Sequence, residues 1–263
     1  MPRKIIKYAK QWIDEDDIRS VVDVLKSDWL TTGPKVEEFE KTIIKYTGSP
    51  FASAVASGTA ALHAAMYAID LQPGDEVIVP TMTFVATANC VIYQGGIPVF
   101  ADIQQNTLLI DPADVENKIN KRTRAIIAVD YAGHPADYDV LRQITDKHNL
   151  VLVADACHSI GGFYKERAVG TLADLNVFSF HPVKNITTGE GGMVTSNNRK
   201  YAERISKFRN HGISVDHHQR EKKGTWIYDM DDIGFNYRIT DFQCALGISQ
   251  LKKLSQWTKL KQQ

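Results

Sequence analysis

The sequence predicts a three-layer α/β fold in which helices cover both faces of a mostly parallel, seven-stranded sheet. The first observation is that, after Gly48, short apolar runs alternate with helical stretches along the chain of 263 residues. The second is that these runs are apolar almost throughout, which is typical of parallel strands buried on both faces. The third is the length, which is ample for a large buried core.

Two helices separated by a break are predicted before the sheet. The first follows Asp14, a good N-cap, and acidic residues occupy its first turn. Its spacing places Ile18, Val21, Val22 and Leu25 on one face. Pro34 ends the break and can open the second helix. That helix has Val36, Phe39 and Ile43 on one face.

The sheet and its helices follow in alternation. The predicted strands are Phe51–Ala56, Glu76–Val79, Pro98–Asp102, Ala125–Val129, Val151–Ala154, Asn176–Phe180 and Met193–Thr195. The predicted helices are Ala60–Ile69, Phe84–Tyr93, Tyr138–His148, Lys200–Asn210 and Thr240–Leu254. Ligands bind at the carboxyl ends of the strands in such sheets, so functional residues are expected directly after them.

Composition narrows the class of protein. The 31 Lys and Arg residues balance 31 Asp and Glu residues, which argues against nucleic acid or an anionic membrane as the main partner. No apolar run approaches the roughly 20 residues needed to cross a bilayer, and the basic N-terminus lacks the apolar core of a signal peptide. The three cysteines are widely spaced and favour reduced thiols. We therefore expect a cytoplasmic protein.

Ser57, Gly58 and Thr59 follow the first strand and open a helix. Their amides and small side chains suit a phosphate at the helix N-terminus. The alternative is an ordinary N-cap, in which Ser57 satisfies a helix amide. Taken alone, the tripeptide favours the N-cap.

Asp155 ends a buried strand, and a buried carboxylate needs a charged or hydrogen-bonding partner. That partner could be His158 or a nearby helix N-terminus. It could also be the protonated ring nitrogen of a cofactor. The residue by itself leaves these possibilities open.

Lys184 lies five residues after Ser179, in a loop rich in Thr and Gly between two buried strands. A loop lysine is most often a solvated charge, but the apolar neighbours of this one favour amine chemistry such as Schiff-base formation. Phe84, just after the second strand, could stack on a flat ring or could belong to the core.

Several other kinds of site are not indicated. The histidines His134, His181 and His211 have no metal-ligand spacing with cysteines or acidic residues, so no metal is assigned. The sequence has neither the G-x-G-x-x-G fingerprint of a dinucleotide site nor the G-x-x-x-x-G-K-[ST] of a P-loop.

In combination, these residues carry a family resemblance. The chain order of phosphate loop, aromatic, strand-end Asp, Ser and loop Lys resembles fold-type-I pyridoxal-phosphate enzymes. Six segments together resemble the DegT/DnrJ/EryC1/StrS sugar aminotransferases over essentially the whole chain: Trp29–Pro34, Ala56–Ala60, Thr83–Asn89, Phe178–Lys184, Thr187–Gly192 and Asn236–Arg238.

The resemblance implies roles for individual residues. Lys184 would form the Schiff base and later move a proton, and Asp155 would keep the pyridinium nitrogen protonated. The other implied cofactor contacts are Phe84 on the ring, His158 near its 3-hydroxyl, Ser57, Gly58, Thr59 and Ser179 on the phosphate, and Asn236 on the phosphate of a neighbouring subunit. The implied substrate contacts are Tyr8, Asp28, Trp29, Leu30, Thr31 and, more weakly, Arg238, for which a structural ion pair is an equal alternative.

The resemblance also implies an activity. L-glutamate would donate its amine, through pyridoxal phosphate, to a nucleotide-linked 4-keto-6-deoxy sugar. The segments Asp130–Gly133 and Phe208–Gly212 resemble members that act on a UDP-linked 4-keto sugar in pseudaminic acid biosynthesis. Alternatives are another keto sugar, or a catalytically silent protein that binds pyridoxal phosphate or acts as a scaffold. Lysine at position 184, where some members carry histidine and dehydrate their substrates, favours amine transfer.

Three regions and a homodimer are expected on the same basis. Residues 1–33 would form an N-terminal helix and substrate-contacting arm, and residues 34–250 the large cofactor-binding domain. Residues 251–263 would begin a linker to a smaller C-terminal domain that helps close the site in relatives and that this chain lacks.

Overall fold

Seven strands form one mixed sheet in the computed structural model, which describes residues 10–213 and 229–261. With the two strands of a separate hairpin, the described residues contain β1 (Phe51–Val55), β2 (Glu76–Pro80), β3 (Ile97–Ala101), β4 (Thr123–Val129), β5 (Val151–Asp155), β6 (Phe163–Tyr164), β7 (Arg167–Ala168), β8 (Leu175–Ser179) and β9 (Gly192–Ser196). The order across the sheet is β1-β9-β8-β5-β4-β2-β3, and β6 and β7 form a separate two-stranded hairpin.

One strand of the large sheet runs against the others. β9 is antiparallel to both β1 and β8, whereas the remaining pairs are parallel. The carboxyl ends of β1, β8, β5, β4 and β2 therefore meet at one edge, together with the first residue of β9. The predicted fold class is confirmed, and all seven predicted strands are present within one or two residues of their predicted bounds.

Helices cover both faces of the sheet. They are α1 (Glu15–Leu25), α2 (Pro34–Thr47), α3 (Gly58–Ala68), α4 (Ala86–Tyr93), α5 (Pro112–Lys118), α6 (Tyr138–His148), α7 (Arg199–Phe208) and α8 (Asp241–Lys261). Neighbouring strand residues point to opposite faces. Ile78 and Ile126 accordingly join one core cluster with α2, α6 and α8, while Val77 and Ile127 join the other with α3, α4 and α7.

The apolar face of α1 is only partly buried. Ile18 and Leu25 are 46% and 55% exposed, and the buried residues of the helix are Asp17 and Val24. The reason lies in α8, which packs against α1 and presents polar side chains to it. Lys253 Nζ lies 2.9 Å from Asp17 Oδ1, and Gln250 Nε2 donates to Asp17 Oδ2 at 2.7 Å.

The last helix also differs from the sequence prediction. It continues to Lys261 instead of ending at Leu254, so it crosses the predicted boundary between residues 250 and 251 without a break. The division into three regions stays a prediction. Within the described residues, no helix is both long enough and apolar enough to span a membrane.

Candidate active site

The carboxyl edge of the sheet brings several predicted site residues together. Ser57 lies just beyond β1 and is the N-cap of α3, where its hydroxyl oxygen accepts a hydrogen bond from the amide of Ala60 at 3.0 Å. Ser179 is the last residue of β8 and is 7% exposed. The N-cap alternative is therefore realised. It is compatible with anion binding, because the first amides of a helix have no acceptor within the helix.

Two glycines allow these segments to approach closely. A Cβ atom at Gly58 would lie 2.8 Å from Ser179 Cβ, and a Cβ atom at Gly192 would lie 2.3 Å from the carbonyl oxygen of Ser57. Both distances are too short for a side chain. The backbones of β9, β8 and the first turn of α3 consequently form a cradle lined by amides and small side chains.

Asp155 ends β5 and is 6% exposed. Its Oδ2 accepts a hydrogen bond from the hydroxyl of Thr87 at 2.7 Å, and its Oδ1 lies 3.4 Å from the amide nitrogen of Cys157. Among the described residues, no Lys, Arg or His nitrogen lies within ion-pair distance of the carboxylate. His158, which sequence reasoning kept as a possible partner, forms neither a salt bridge nor a hydrogen bond with it.

The loop after β5 contacts the loop that carries Lys184. The side chain of Asn185 donates to the carbonyl oxygens of His158 at 3.2 Å and Ile160 at 3.0 Å. Partial burial of the imidazole and the positive charge of Lys184 lower the pKa of His158, so its ring is neutral at neutral pH. Burial and the nearby Asp155 carboxylate raise the pKa of the Cys157 thiol, which keeps that thiol protonated.

Lys184 itself is half-buried. Its amide donates to the carbonyl oxygen of His181 at 2.9 Å, which closes a turn directly after β8. Among the described residues, no carboxylate forms an ion pair with its ammonium group. A half-buried lysine beside a neutral imidazole, without an acidic partner, differs from an ordinary surface lysine, which usually extends into water.

Phe84 is not part of the core. Phe84 is 72% exposed and lies just before α4, at the same edge of the sheet. The alternative of a buried core aromatic is therefore excluded, and the ring is available to stack on a ligand.

The segment after residue 229 lies beside the cradle. The carbonyl oxygen of Tyr237 accepts from the amide of Ala56 at 2.8 Å, next to Ser57. The adjacent residue Asn236 is exposed, and its backbone forms a bridge with Asn210. The side chain of Arg238 donates to Asn210 Oδ1 at 2.9 Å, so its observed partner is an amide and not the carboxylate of an ion pair.

The predicted substrate arm is anchored to the start of α8. The carbonyl oxygen of Leu30 accepts from the amide of Asp241 at 3.0 Å, and Thr31 bridges Thr240. Leu30 is 51% exposed, Asp28 and Thr31 are exposed, and Trp29 is half-buried. The roles assigned to Asp28–Thr31 stay predictions, and Tyr8 lies outside the described residues.

Two polar residues beside Asp155 were not singled out from the sequence. Asp130 follows β4 and is fully buried. Its carboxylate accepts hydrogen bonds from Tyr138 at 2.7 Å, Ser159 at 2.6 Å and the amide of Ala136 at 3.1 Å. Burial raises its pKa to about 6.

The other is Thr87, which is also fully buried. The sequence pattern gives little indication that Asp130 or Thr87 belongs to the site. An acid directly after a predicted strand could have identified Asp130, whereas nothing in the sequence pairs Thr87 with Asp155. Within residues 10–213 and 229–261, no group of three or more His, Cys, Asp or Glu side chains could hold a metal ion.

Comparison with known proteins gives a consistent result. Residues 11–263 match the family model described as the DegT/DnrJ/EryC1/StrS aminotransferase family. The spore coat polysaccharide biosynthesis protein SpsC of Bacillus subtilis is 39% identical over 98% of this chain and 67% of its own length. The uncharacterized protein MJ1066 of Methanocaldococcus jannaschii is 46% identical over 92% of this chain and 63% of its own length. The chain thus spans about two thirds of these relatives.

Solved structures give the same picture. A putative sugar aminotransferase of Streptococcus pneumoniae, Spr1654, superposes in its PMP form with a TM-score of 0.93. The match has 34% identity and covers 98% of this chain and 70% of that one. PseC of Helicobacter pylori, an aminotransferase of pseudaminic acid biosynthesis, superposes with a TM-score of 0.88 at 35% identity, over 95% of this chain and 66% of its own.

Proposed function

The chain belongs to the DegT/DnrJ/EryC1/StrS family of pyridoxal-phosphate-dependent aminotransferases, and on this premise we propose that it transfers the amino group of L-glutamate to a nucleotide-linked keto sugar. The observation that carries the proposal is the buried carboxylate of Asp155. It has no cationic partner among the described residues, and it ends the strand beside the Lys184 loop.

The residues at this edge fit pyridoxal phosphate. A buried carboxylate without a cation matches a protonated pyridine nitrogen, which would compensate the cost of burying the charge. Gly58 and Gly192 let the first turn of α3 pack closely against the ends of β8 and β9. The first amides of a helix have no acceptor within the helix, so this edge matches a phosphate. The exposed ring of Phe84 matches a stacked heterocycle.

Each residue would contribute a definite step. When bound, pyridoxal phosphate supplies an electron sink that stabilises negative charge at the carbon bearing the amine. Asp155 holds the proton on the ring nitrogen by charge pairing. Ser57, Gly58, Thr59 and Ser179 fix the phosphate and thereby the position of the ring. Lys184 Nζ holds the cofactor covalently and afterwards carries a proton to and from the reacting carbon, as the family resemblance assigns.

His158 would act as a neutral group. Because its pKa is lowered, the ring can accept or donate one hydrogen bond near the 3-hydroxyl of the cofactor without adding positive charge beside Lys184.

The substrate proposal is a UDP-linked 4-keto-6-deoxy sugar. It is supported by the similarity to PseC, an aminotransferase of pseudaminic acid biosynthesis. A different sugar is the alternative, because DesI, described with its TDP-sugar product, also superposes, with a TM-score of 0.85 at 32% identity.

We further propose a homodimer in which Asn236 reaches the phosphate of the partner's cofactor. The exposed position of Asn236 beside the cradle supports this arrangement. Mixing Lys184→Ala with Asn236→Ala subunits should restore one complete site in each mixed dimer, and therefore recover the reaction of the bound cofactor with L-glutamate that each variant alone has lost or slowed. No recovery, although two different affinity tags isolate mixed dimers, would refute a shared site.

The function is tested by following the absorption of added pyridoxal phosphate. Borohydride reduction and peptide mapping should place the covalent label on Lys184. The label should disappear in Lys184→Ala and persist in the control Lys200→Ala, which removes an exposed lysine of α7. A label on another lysine would refute the assignment.

L-glutamate should then convert the cofactor to its amine form, and a panel of UDP-, dTDP- and GDP-linked 4-keto sugars should reverse the change. Reversal by the UDP sugar supports the substrate proposal, and preference for another nucleotide refutes it. Labelling of Lys184 without any response to L-glutamate would identify a silent binder.

A further inference from the structure

We propose that Thr87 is a positioning residue that holds the Asp155 carboxylate ionised and oriented toward the pyridine nitrogen of the cofactor. The proposal rests on the proposed function for the identity of that ligand. The hydrogen bond on which it depends is independent of the ligand.

The direction of the hydrogen bonds is fixed by the groups present. An ionised carboxylate can only accept, so the single hydroxyl proton of Thr87 is donated to Asp155 Oδ2 across 2.7 Å. The hydroxyl of Thr83 lies 2.7 Å from Thr87 Oγ1 and must therefore donate to it. Two hydroxyls form a polarised chain that ends on the carboxylate, and each strengthens the next.

The environment makes this chain important for the charge on Asp155. Thr87 is fully buried and Asp155 is 6% exposed, so water compensates little of the charge. The second buried acid, Asp130, is adjacent, and its amide donates to the carbonyl oxygen of Asp155 at 3.1 Å. Like charges in one low-dielectric region disfavour ionisation, whereas a hydrogen bond to the charged form favours it.

The bond also determines which oxygen remains available. Oδ2 accepts the short bond from Thr87, whereas Oδ1 lies 3.4 Å from the Cys157 amide nitrogen. The Cys157 thiol is a further donor to the carboxylate, but a thiol is a weak one. Oδ1 therefore keeps the capacity to accept from a protonated ring nitrogen. Rotation of the carboxylate would break the bond to Thr87, so the bond orients the free oxygen.

A single helical turn connects this bond to the exposed aromatic. The amide of Thr87 donates to the carbonyl oxygen of Phe84 at 3.1 Å, at the start of α4. The residue that would stack on the ring and the residue that holds its nitrogen partner are thus three positions apart on one rigid turn. A change at Thr87 should affect both contacts.

The test compares Thr87→Val, which replaces the hydroxyl by a methyl group of similar size, with Thr87→Ser, which keeps the hydroxyl. The control is Thr145→Val in α6, which also replaces a fully buried helical threonine, one whose hydroxyl donates to the carbonyl oxygen of Arg142. The first readout is the absorption of bound pyridoxal phosphate against pH.

In Thr87→Val, the change in absorption that marks loss of the ring proton from the bound cofactor should occur at lower pH. Cofactor binding should also weaken roughly tenfold or more, which is the factor expected for a hydrogen bond to a charged group. Thr87→Ser and Thr145→Val should stay close to the wild type. Normal behaviour of Thr87→Val would overturn the proposal. Equal loss in Thr87→Ser would also overturn it, since a purely structural defect would then explain both variants.

A second readout needs no cofactor. In the apoprotein at neutral pH, urea unfolding gives the free energy of unfolding of the wild type, Thr87→Val, Asp155→Asn and the double variant. Thr87→Val should lower this free energy more when residue 155 is Asp than when it is Asn, because only the carboxylate accepts a charge-assisted hydrogen bond. Equal losses in the two backgrounds would overturn the proposal, even if pyridoxal phosphate proved not to be the ligand. A larger loss with Asp155, without cofactor binding in the wild type, would instead place the error in the proposed function.

Discussion

Replacing Asp130 by asparagine should stabilise the protein more at pH 8 than at pH 5. The carboxylate is fully buried at the end of β4 and accepts three hydrogen bonds, but no cation lies within ion-pair distance among the described residues. Asparagine keeps the oxygen that accepts from Tyr138 and the Ala136 amide. Its NH₂ group can donate to Ser159, whose own proton can turn to the carbonyl oxygen of Ala156 at 3.3 Å. The substitution therefore removes the charge and retains the contacts.

The sign and size follow from the pKa of Asp130. Burial raises it from 3.8 to about 6 in the folded protein. Between these values the folded state binds the proton and the unfolded state does not, so stability falls as the pH rises through this range. Two pKa units correspond to about 3 kcal/mol, which is fully lost at pH 8 and roughly half lost at pH 5. Asparagine at this position does not titrate.

The assay is urea unfolding of Asp130→Asn and the wild type at pH 5 and pH 8, reported as the difference in the free energy of unfolding. Subtraction cancels groups that titrate in both proteins. The control is Asp23→Asn, which removes an exposed carboxylate of α1. If the Asp130→Asn difference is the same at both pH values, Asp130 is not a buried acid with a raised pKa, and the reasoning is refuted.

Three further outcomes are expected. Asp155→Asn should slow the reaction of the bound cofactor with L-glutamate by orders of magnitude while Lys184 is still labelled, because a neutral amide cannot hold the ring proton; a change below about threefold would contradict the assigned role. Gly192→Ala should weaken cofactor binding strongly, since its Cβ would meet the Ser57 carbonyl oxygen at 2.3 Å; the control Gly48→Ala, at a left-handed position with open space, should lower stability by about 1 kcal/mol and leave binding unchanged. Burial lowers the pKa of His63 to about 4. The free energy of unfolding of the wild type should therefore fall by up to about 3 kcal/mol as the pH falls from 6.5 to 4. If urea unfolding of His63→Gln shows the same fall, the attribution to His63 is refuted.

The sequence predicted much of the site because the chemistry lies at strand ends. Apolar runs define where each parallel strand ends, and the first polar residue after a run is then placed at the ligand-binding edge. Ser57 and Asp155 were located in this way, whereas Ser179 and Lys184 were located by their place at the end of the next strand and in the loop that follows it. The structure brings the first three and the Lys184 loop to one edge. The roles assigned to them remain predictions.

Contacts between elements distant in sequence could not be read in the same way. The spacing of α1 placed Ile18 and Leu25 on its apolar face, but both are exposed. The buried Asp17 instead contacts Gln250 and Lys253 of the partner helix α8. A helical pattern indicates which residues share a face, but only the packing partner decides which face is buried.

By itself, the sequence determined the order of strands and helices, the residues that follow each strand, and the family to which the chain belongs. Only the tertiary structure decided that Asp155 accepts from Thr87 and not from His158, and that a second buried acid, Asp130, lies beside it. The reason is that local patterns fix backbone conformation residue by residue, whereas the ionisation and orientation of a buried carboxylate depend on whichever groups the fold brings within about 3 Å of it.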